Sequence, residues 1–150
     1  MSEKTRILVI DDEESIRTTF SLILGDEGYI VDTAENGKDA LEKASSNFYN
    51  VIVSDIRLPD IEGVKLLSLI KETTPKTRKL IMTGYPTVQN AVESVNTGVD
   101  AYLLKPLDMD EVLKQIKMQL IKQQEELSYS KDRVTKFIET QFMQTIANEG

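Results

Sequence analysis

Four short apolar runs in this chain each end on side chains that can do chemistry. Arg6-Ile-Leu-Val-Ile leads into Asp11-Asp12, and Asn50-Val-Ile-Val-Ser leads into Asp55. Lys79-Leu-Ile-Met leads into Thr83-Gly84, and Ala101-Tyr-Leu-Leu into Lys105-Pro106. If the runs are neighbouring strands of a parallel sheet, these groups share the edge above the strands' carboxyl ends, where open α/β sheets place ligand sites. Three carboxylates, a hydroxyl and an ammonium around one point suit a divalent cation and a phosphoryl group. Adjacent aspartates after a buried strand repel each other. Mg2+ takes oxygen ligands, keeps several waters and needs only one or two carboxylates, so it would relieve that repulsion. Asp55 is ionised at neutral pH, so it can attack phosphorus without a general base and give an aspartyl phosphate. The Thr83 hydroxyl can donate to a phosphoryl oxygen, Gly84 allows close approach, and Lys105 can neutralise the charge. A cis bond at Lys105-Pro106 would aim the lysine inward. Taken singly, each element also reads as ordinary structure: helix capping for Asp11 to Glu14, turns for the others.

Composition narrows the chemistry. The chain has 150 residues, enough for one domain with a real core. With Lys plus Arg at 18 and Asp plus Glu at 25, the formal charge is −7, which opposes direct binding of DNA or RNA. The absence of cysteine excludes disulfides, thiolate metal sites and thiol catalysis. The absence of histidine removes the commonest general base and zinc ligand, and puts any phosphohistidine on another protein. The first residues lack the apolar stretch of a signal peptide, and no apolar run has the length of a membrane span. The expected location is the cytoplasm.

The elements that must position these groups alternate. The pattern predicts strands at Ile7–Ile10, Tyr29–Thr33, Val51–Ser54, Leu80–Met82 and Ala101–Leu104. It predicts helices over Ser15–Leu24, ended by Gly25 or Gly28, around Ala40, Leu41 and Ala44, over Val64–Ile70, over Val88–Val95, and from Asp108 onward. Asn36-Gly37 reads as a turn, Leu58-Pro59-Asp60 with Gly63 as a turn-rich loop, and Thr74-Pro75 as the end of the third helix. Acidic residues in the first turn of the fifth helix suit the helix dipole. Strict strand–helix alternation implies a mostly parallel sheet with helices on both faces.

The last part has a different texture. No glycine or proline occurs between Asp108 and Gly150, and Leu113, Leu120, Leu127 and Val134 recur every seven residues. The companion positions Ile116, Gln123, Ser130 and Phe137 are only half apolar, a partial coiled-coil pattern. Ser128-Tyr129-Ser130 is a candidate break, with Ser130 capping a new helix. Val134, Phe137, Ile138, Phe142 and Ile146 then form an apolar stripe. Two readings stand side by side: a helix packed back on its own domain, and a dimerisation helix or connector to a partner.

The order and strand placement of the reactive groups resemble the receiver domain of two-component response regulators, including the chemotaxis type. The resemblance covers roughly residues 4–125, leaving 126–150 as a helical tail or linker. It implies a flavodoxin-like, doubly wound five-stranded parallel sheet of order 2-1-3-4-5 with five helices and a C-terminal helical extension. It further implies that Asp11, Asp12, Asp55 and the backbone carbonyl of Arg57 hold Mg2+ or Mn2+, with Asp12 the direct ligand and Asp11 acting directly or through water. Asp55 would be the phosphoacceptor, with Thr83 and Lys105 binding the phosphoryl group. Tyr102 would be the aromatic that changes rotamer on activation, and Pro106 the proline after a cis peptide. Arg57 and Tyr85 would flank the attacking water. The phosphodonor would be a histidine kinase or phosphotransfer protein. The chain would then catalyse only its own phosphorylation and slow hydrolysis. Output would pass through the surface of the fourth helix, fifth strand and fifth helix to a partner, or to a homodimer through that face or the C-terminal helix.

Three other readings share parts of the pattern. A haloacid-dehalogenase-type phosphatase carries a second aspartate two positions after the nucleophile, where this chain has Arg57. A flavodoxin-like FMN binder needs a phosphate cradle after the first strand, where this chain has Asp-Asp-Glu-Glu. A phosphorylation-independent interaction module of the same fold would bind equally with Asp55→Asn. The runs Thr83-Gly-Tyr-Pro-Thr-Val and Leu103-Leu-Lys-Pro-Leu-Asp resemble receivers that precede ATPase transcription activators, so a fragment of a larger regulator or hybrid kinase is the remaining alternative.

Overall fold

The computed structural model describes residues 4–84 and 98–149. The predicted helix Val88–Val95 and Tyr85 lie outside the described residues. The chain runs β1 (Arg6–Ile10), α1 (Glu14–Asp26), β2 (Ile30–Ala34), α2 (Gly37–Ser46), β3 (Val51–Asp55), α3 (Gly63–Leu69), β4 (Arg78–Thr83), β5 (Ala101–Leu104) and α4 (Met109–Glu149). The five strands form one sheet in the order β2-β1-β3-β4-β5, and every adjacent pair is parallel.

The continuous apolar runs are explained by burial on both faces. Side chains alternate across a strand. Ile7, Val9, Val51, Val53, Leu80 and Met82 therefore face one layer, with Phe20 and Leu24 of α1 and Val112 and Ile116 of α4. Leu8, Ile10, Ile52 and Ile81 face the other, with Ala40 of α2 and Val64, Leu66 and Leu67 of α3.

Several boundaries differ from the sequence reading, each for a local reason. Gly25 lies inside α1; the reversal is made by Gly28 at φ +93°, a backbone state that favours glycine. Asn36-Gly37 is a helix start rather than a turn. The Asn36 side chain accepts the Asp39 N–H at 2.8 Å, and Gly37 is the first residue of α2. Helix α3 stops at Leu69 because Ile70 becomes extended and turns into the core, five residues before Pro75. β4 begins two residues before its apolar run does: Arg78 and Lys79 are buried members of it.

The largest difference is at the end of the chain. Ser128-Tyr129-Ser130 does not break the helix; α4 continues for 41 residues to Glu149, about 60 Å at 1.5 Å per residue. Asp108 starts it by accepting the Asp110 N–H at 3.0 Å. Its middle turns are held at the amino edge of the sheet by polar groups. The Arg78 guanidinium donates to Gln119 Oε1 at 2.9 Å and to Glu126 Oε1 at 3.0 Å, and pairs with Asp100 at 3.3 Å. The Gln123 amide donates to the carbonyls of Asn50 and Lys76 at 3.0 and 2.8 Å, and the Asn50 amide donates back to Gln123 Oε1 at 3.0 Å.

Candidate functional site

Strand register assembles the site. Ile10 is level with Ser54, Asp55 with Met82, and Thr83 with Leu104. Asp11 and Lys105 are each the residue after such a pair, and the ladder runs on through them: Asp11 N–H donates to Ala34 at 3.0 Å, Lys105 N–H to Thr83 at 2.8 Å. Asp11, Asp12, Asp55, Thr83 and Lys105 are thus carried to one edge by residues tens of positions apart.

Asp11 is fully buried, and Asp55 and Thr83 nearly so, whereas Asp12 is exposed. One oxygen from each of the three aspartates lies within 4.8 Å of the others. Lys105 Nζ stands 3.3 Å from Asp55 Oδ1 and 3.9 Å from Asp11 Oδ2. The Lys105-Pro106 peptide bond is cis. Tyr102 is half-buried and packs against the α2/α3 side of the core.

The electrostatics of Asp11 are unusual for a carboxylate. Its Oδ1 accepts the Glu13 N–H at 2.8 Å, but its buried Oδ2 has no hydrogen-bond partner among the described residues. Burial pushes the Asp11 carboxyl up to about 6, opposed by the Glu13 N–H and raised further by Asp55, with Lys105 opposing and Asp12 adding. An orphaned buried oxygen beside two more carboxylates is a donor set that fits a hard divalent cation. Asp11, Asp12 and Asp55 are the residues that would hold it. The loop after β3 forms a bridge between Arg57 and Glu62, but its hydrogen bonds run from Leu58 to Ile61 and from Gly63 to Ile56. The Arg57 carbonyl is therefore not consumed by the bridge.

Residues that the sequence reading treated only as punctuation hold this loop in place. A Cβ on Gly63 would stand 2.1 Å from the Asp55 backbone oxygen, so α3 can begin this close to the strand end only with glycine there. Asp60 accepts the N–H groups of Gly37 and Lys38 at 2.8 and 3.0 Å. These bonds to the start of α2 hold the Asp60 carboxyl below the usual carboxylate range. Gly37 in turn lies under Ile61, where a Cβ would meet Cγ2 at 2.3 Å. Arg17 Nη1 donates to the Asp11 carbonyl at 2.8 Å, tying α1 to the end of β1. The Pro-Asp-x-x-Gly spacing at 59–63 was the available signal, but its partner at Gly37 is remote in sequence.

Known proteins are similar to this chain in sequence and fold. A family model described as the response regulator receiver domain matches residues 7–117. The transcriptional regulatory protein ZraR of Klebsiella oxytoca is 40% identical over 110 residues, covering 73% of this chain and 25% of that protein. The chain therefore spans about a quarter of that relative's length. A CheY-like receiver domain structure from Methanospirillum hungatei JF-1 matches with TM-score 0.78 and 38% identity, over 83% of this chain and 99% of that one. The beryllofluoride-activated NtrC4 receiver domain dimer matches with TM-score 0.72 and 38% identity, over 79% and 98%. The fold, the site at the carboxyl edge of its sheet and these matches agree: the chain belongs to the response regulator receiver domain family.

Proposed function

We propose that this chain is a phosphorylation-driven switch in which Asp55 takes a phosphoryl group from a phosphohistidine on a histidine kinase or phosphotransfer protein. The carrying observation is the pairing of Lys105 Nζ with Asp55 Oδ1 at 3.3 Å, beside the orphaned Asp11 Oδ2. An Asp55 oxygen attacks phosphorus, the O–P bond forms, and the N–P bond breaks with its electron pair left on the donor imidazole. Lys105 neutralises charge on the transferring oxygens, and Thr83 donates its hydroxyl to one of them. Mg2+, or Mn2+, held by Asp11, Asp12, Asp55 and the Arg57 carbonyl, would supply further charge stabilisation when bound. Water later hydrolyses the acyl phosphate.

Switching then follows as a local event with a wider readout. Thr83 moves toward the phosphoryl group, Tyr102 changes rotamer, and the surface around β5 and the start of α4 is re-shaped for a partner or for self-association. Receiver function covers residues 4–125 in this reading, and 126–150 carry the output. The acidic charge opposes direct nucleic-acid binding by this chain. No helix among the described residues is long and apolar enough to cross a membrane, and the proposed setting is the cytoplasm. That the chain corresponds to a quarter of a transcriptional regulator supports a second reading, in which it is the receiver portion of a larger protein.

The test is intact mass after incubation with a small phosphodonor, with and without Mg2+. The expected result is a Mg2+-dependent gain of one phosphoryl group that Asp55→Asn abolishes. No gain with either the small donor or a phosphorylated histidine kinase domain would favour the phosphorylation-independent module.

A further inference from the structure

The turn from β1 to α1 is Asp11, Asp12 and Glu13. Asp12 is exposed, and its carboxylate makes no hydrogen bond or ion pair among the described residues. Yet one of its oxygens lies within 4.8 Å of oxygens of Asp11 and Asp55. With no partner on the side chain itself, its direction is set by the two peptide groups that flank it. The peptide after Asp12 is held by Asp11 Oδ1, which accepts the Glu13 N–H at 2.8 Å. The peptide before it is held by Arg17, whose Nη1 donates to the Asp11 carbonyl at 2.8 Å.

We infer that Arg17 is a positioning residue for the cation site: by holding the Asp11 carbonyl it fixes the peptide that leads into Asp12 and so aims the Asp12 carboxylate at Asp11 and Asp55. This role rests on the proposed reading that the three aspartates hold a divalent cation. Arg17 brings a rigid reference to the turn. It stands in the first half of α1, a helix fastened to the core by Phe20 and Leu24, and its own N–H donates to Glu13 O at 3.2 Å. Both ends of the turn are thereby tied to one residue of a packed element. A guanidinium also gives the carbonyl a charge-assisted bond, stronger than a neutral donor would.

The surroundings argue against a plain ion pair. Asp12, Glu13 and Glu14 are close in sequence, but Arg17 pairs with no carboxylate among the described residues; its side chain is turned to the backbone instead. Groups that hold metal ligands from behind are typically worth 10–100-fold in affinity. Charge alone would act in the opposite sense, because a guanidinium repels a divalent cation. The sign of the effect therefore separates positioning from electrostatics.

Mn2+ titration of the whole chain, read by the EPR signal of the free ion and repeated for Arg17→Met and Arg17→Lys, tests it. Arg17→Met keeps the stem of the side chain and loses donor and charge. It should raise the Mn2+ dissociation constant by about 10-fold. Arg17→Lys returns a charged donor and should recover part of that loss. The Mg2+ concentration for half-maximal phosphoryl uptake should rise in parallel, while the rate at saturating Mg2+ stays close to that of the wild type. Urea unfolding in EDTA verifies that each metal-free variant is folded under the conditions of the titration. Unchanged or tighter Mn2+ binding by Arg17→Met, beside a wild type that binds, would overturn this role alone. A wild type that takes up no Mn2+ would overturn the cation reading of the site and this role with it.

Discussion

At the scale of single residues, the proposed function makes Asp11 the group on which the response to pH and metal turns. Its carboxyl is raised from 3.8 to about 6, so the folded protein holds that proton more tightly than the unfolded chain does. The stabilising contribution is present at low pH and is lost as pH rises through about 6. Above that, the folded state contains a buried carboxylate whose Oδ2 has no hydrogen-bond partner among the described residues. A divalent cation should be worth most there, because its binding must displace the proton below 6. Melting temperatures with Mg2+ and with EDTA are expected to separate clearly above pH ~7 and to converge below pH ~5. Equal separation at both would show that Asp11 is not part of the cation site.

At the scale of elements, the loop that follows Asp55 depends on close packing at two glycines. Gly63 opens α3 against the Asp55 carbonyl, and its N–H donates to Ile56 at 2.7 Å. Gly63→Ala places a methyl 2.1 Å from a backbone oxygen, and neither the strand end nor the helix start is a flexible side chain that can yield. The expected cost is about 2–3 kcal/mol by urea unfolding, together with slower phosphoryl uptake, since the shift occurs at Asp55 itself. An unchanged midpoint and rate would mean that the helix start relaxes without strain. A helix-propensity view of the same substitution predicts a gain of up to about 1 kcal/mol, so the sign of the result separates packing from propensity.

At the scale of the whole molecule, one arginine joins the sheet to α4. Arg78 is buried, and it contacts Asp100, with its side chain 16% exposed, and Glu126, 58% exposed. The two pairs should therefore contribute unequally. Arg78→Met takes the guanidinium partner from the partly buried Asp100 and the buried Gln119 and should cost about 3 kcal/mol. Glu126→Ala removes only a solvent-screened partner and should cost less than about 1 kcal/mol. Chemical denaturation of the two variants checks the order. Hydrogen exchange at residues 119–127 should rise in Arg78→Met, because those turns lose their polar anchor. Comparable costs would show that the Arg78–Asp100 pair contributes no more than the exposed Glu126 pair.

The linear order of residues is enough to specify the sheet and the placement of its reactive groups. Doubly buried strands must be nearly continuous apolar runs, and a parallel sheet delivers every strand's carboxyl end to one edge. Asp11, Asp55, Thr83 and Lys105 can therefore be placed together from the pattern of the chain. Boundaries set by capping are less legible, as at Asn36-Gly37 and Ile70, because turn and helix start use the same residue types. Contacts between distant segments are legible only in three dimensions. The Gly63–Asp55 approach, the Asp60 clamp on α2 and the buried Asp11 oxygen with no hydrogen bond among the described residues are set by packing distances that no local pattern encodes. The same holds for α4. Ser128 to Ser130 offer a local break, but a helix already docked by Ile116 and anchored by Arg78 and Gln123 has its nucleation behind it, and each further residue needs only its own backbone hydrogen bond to continue.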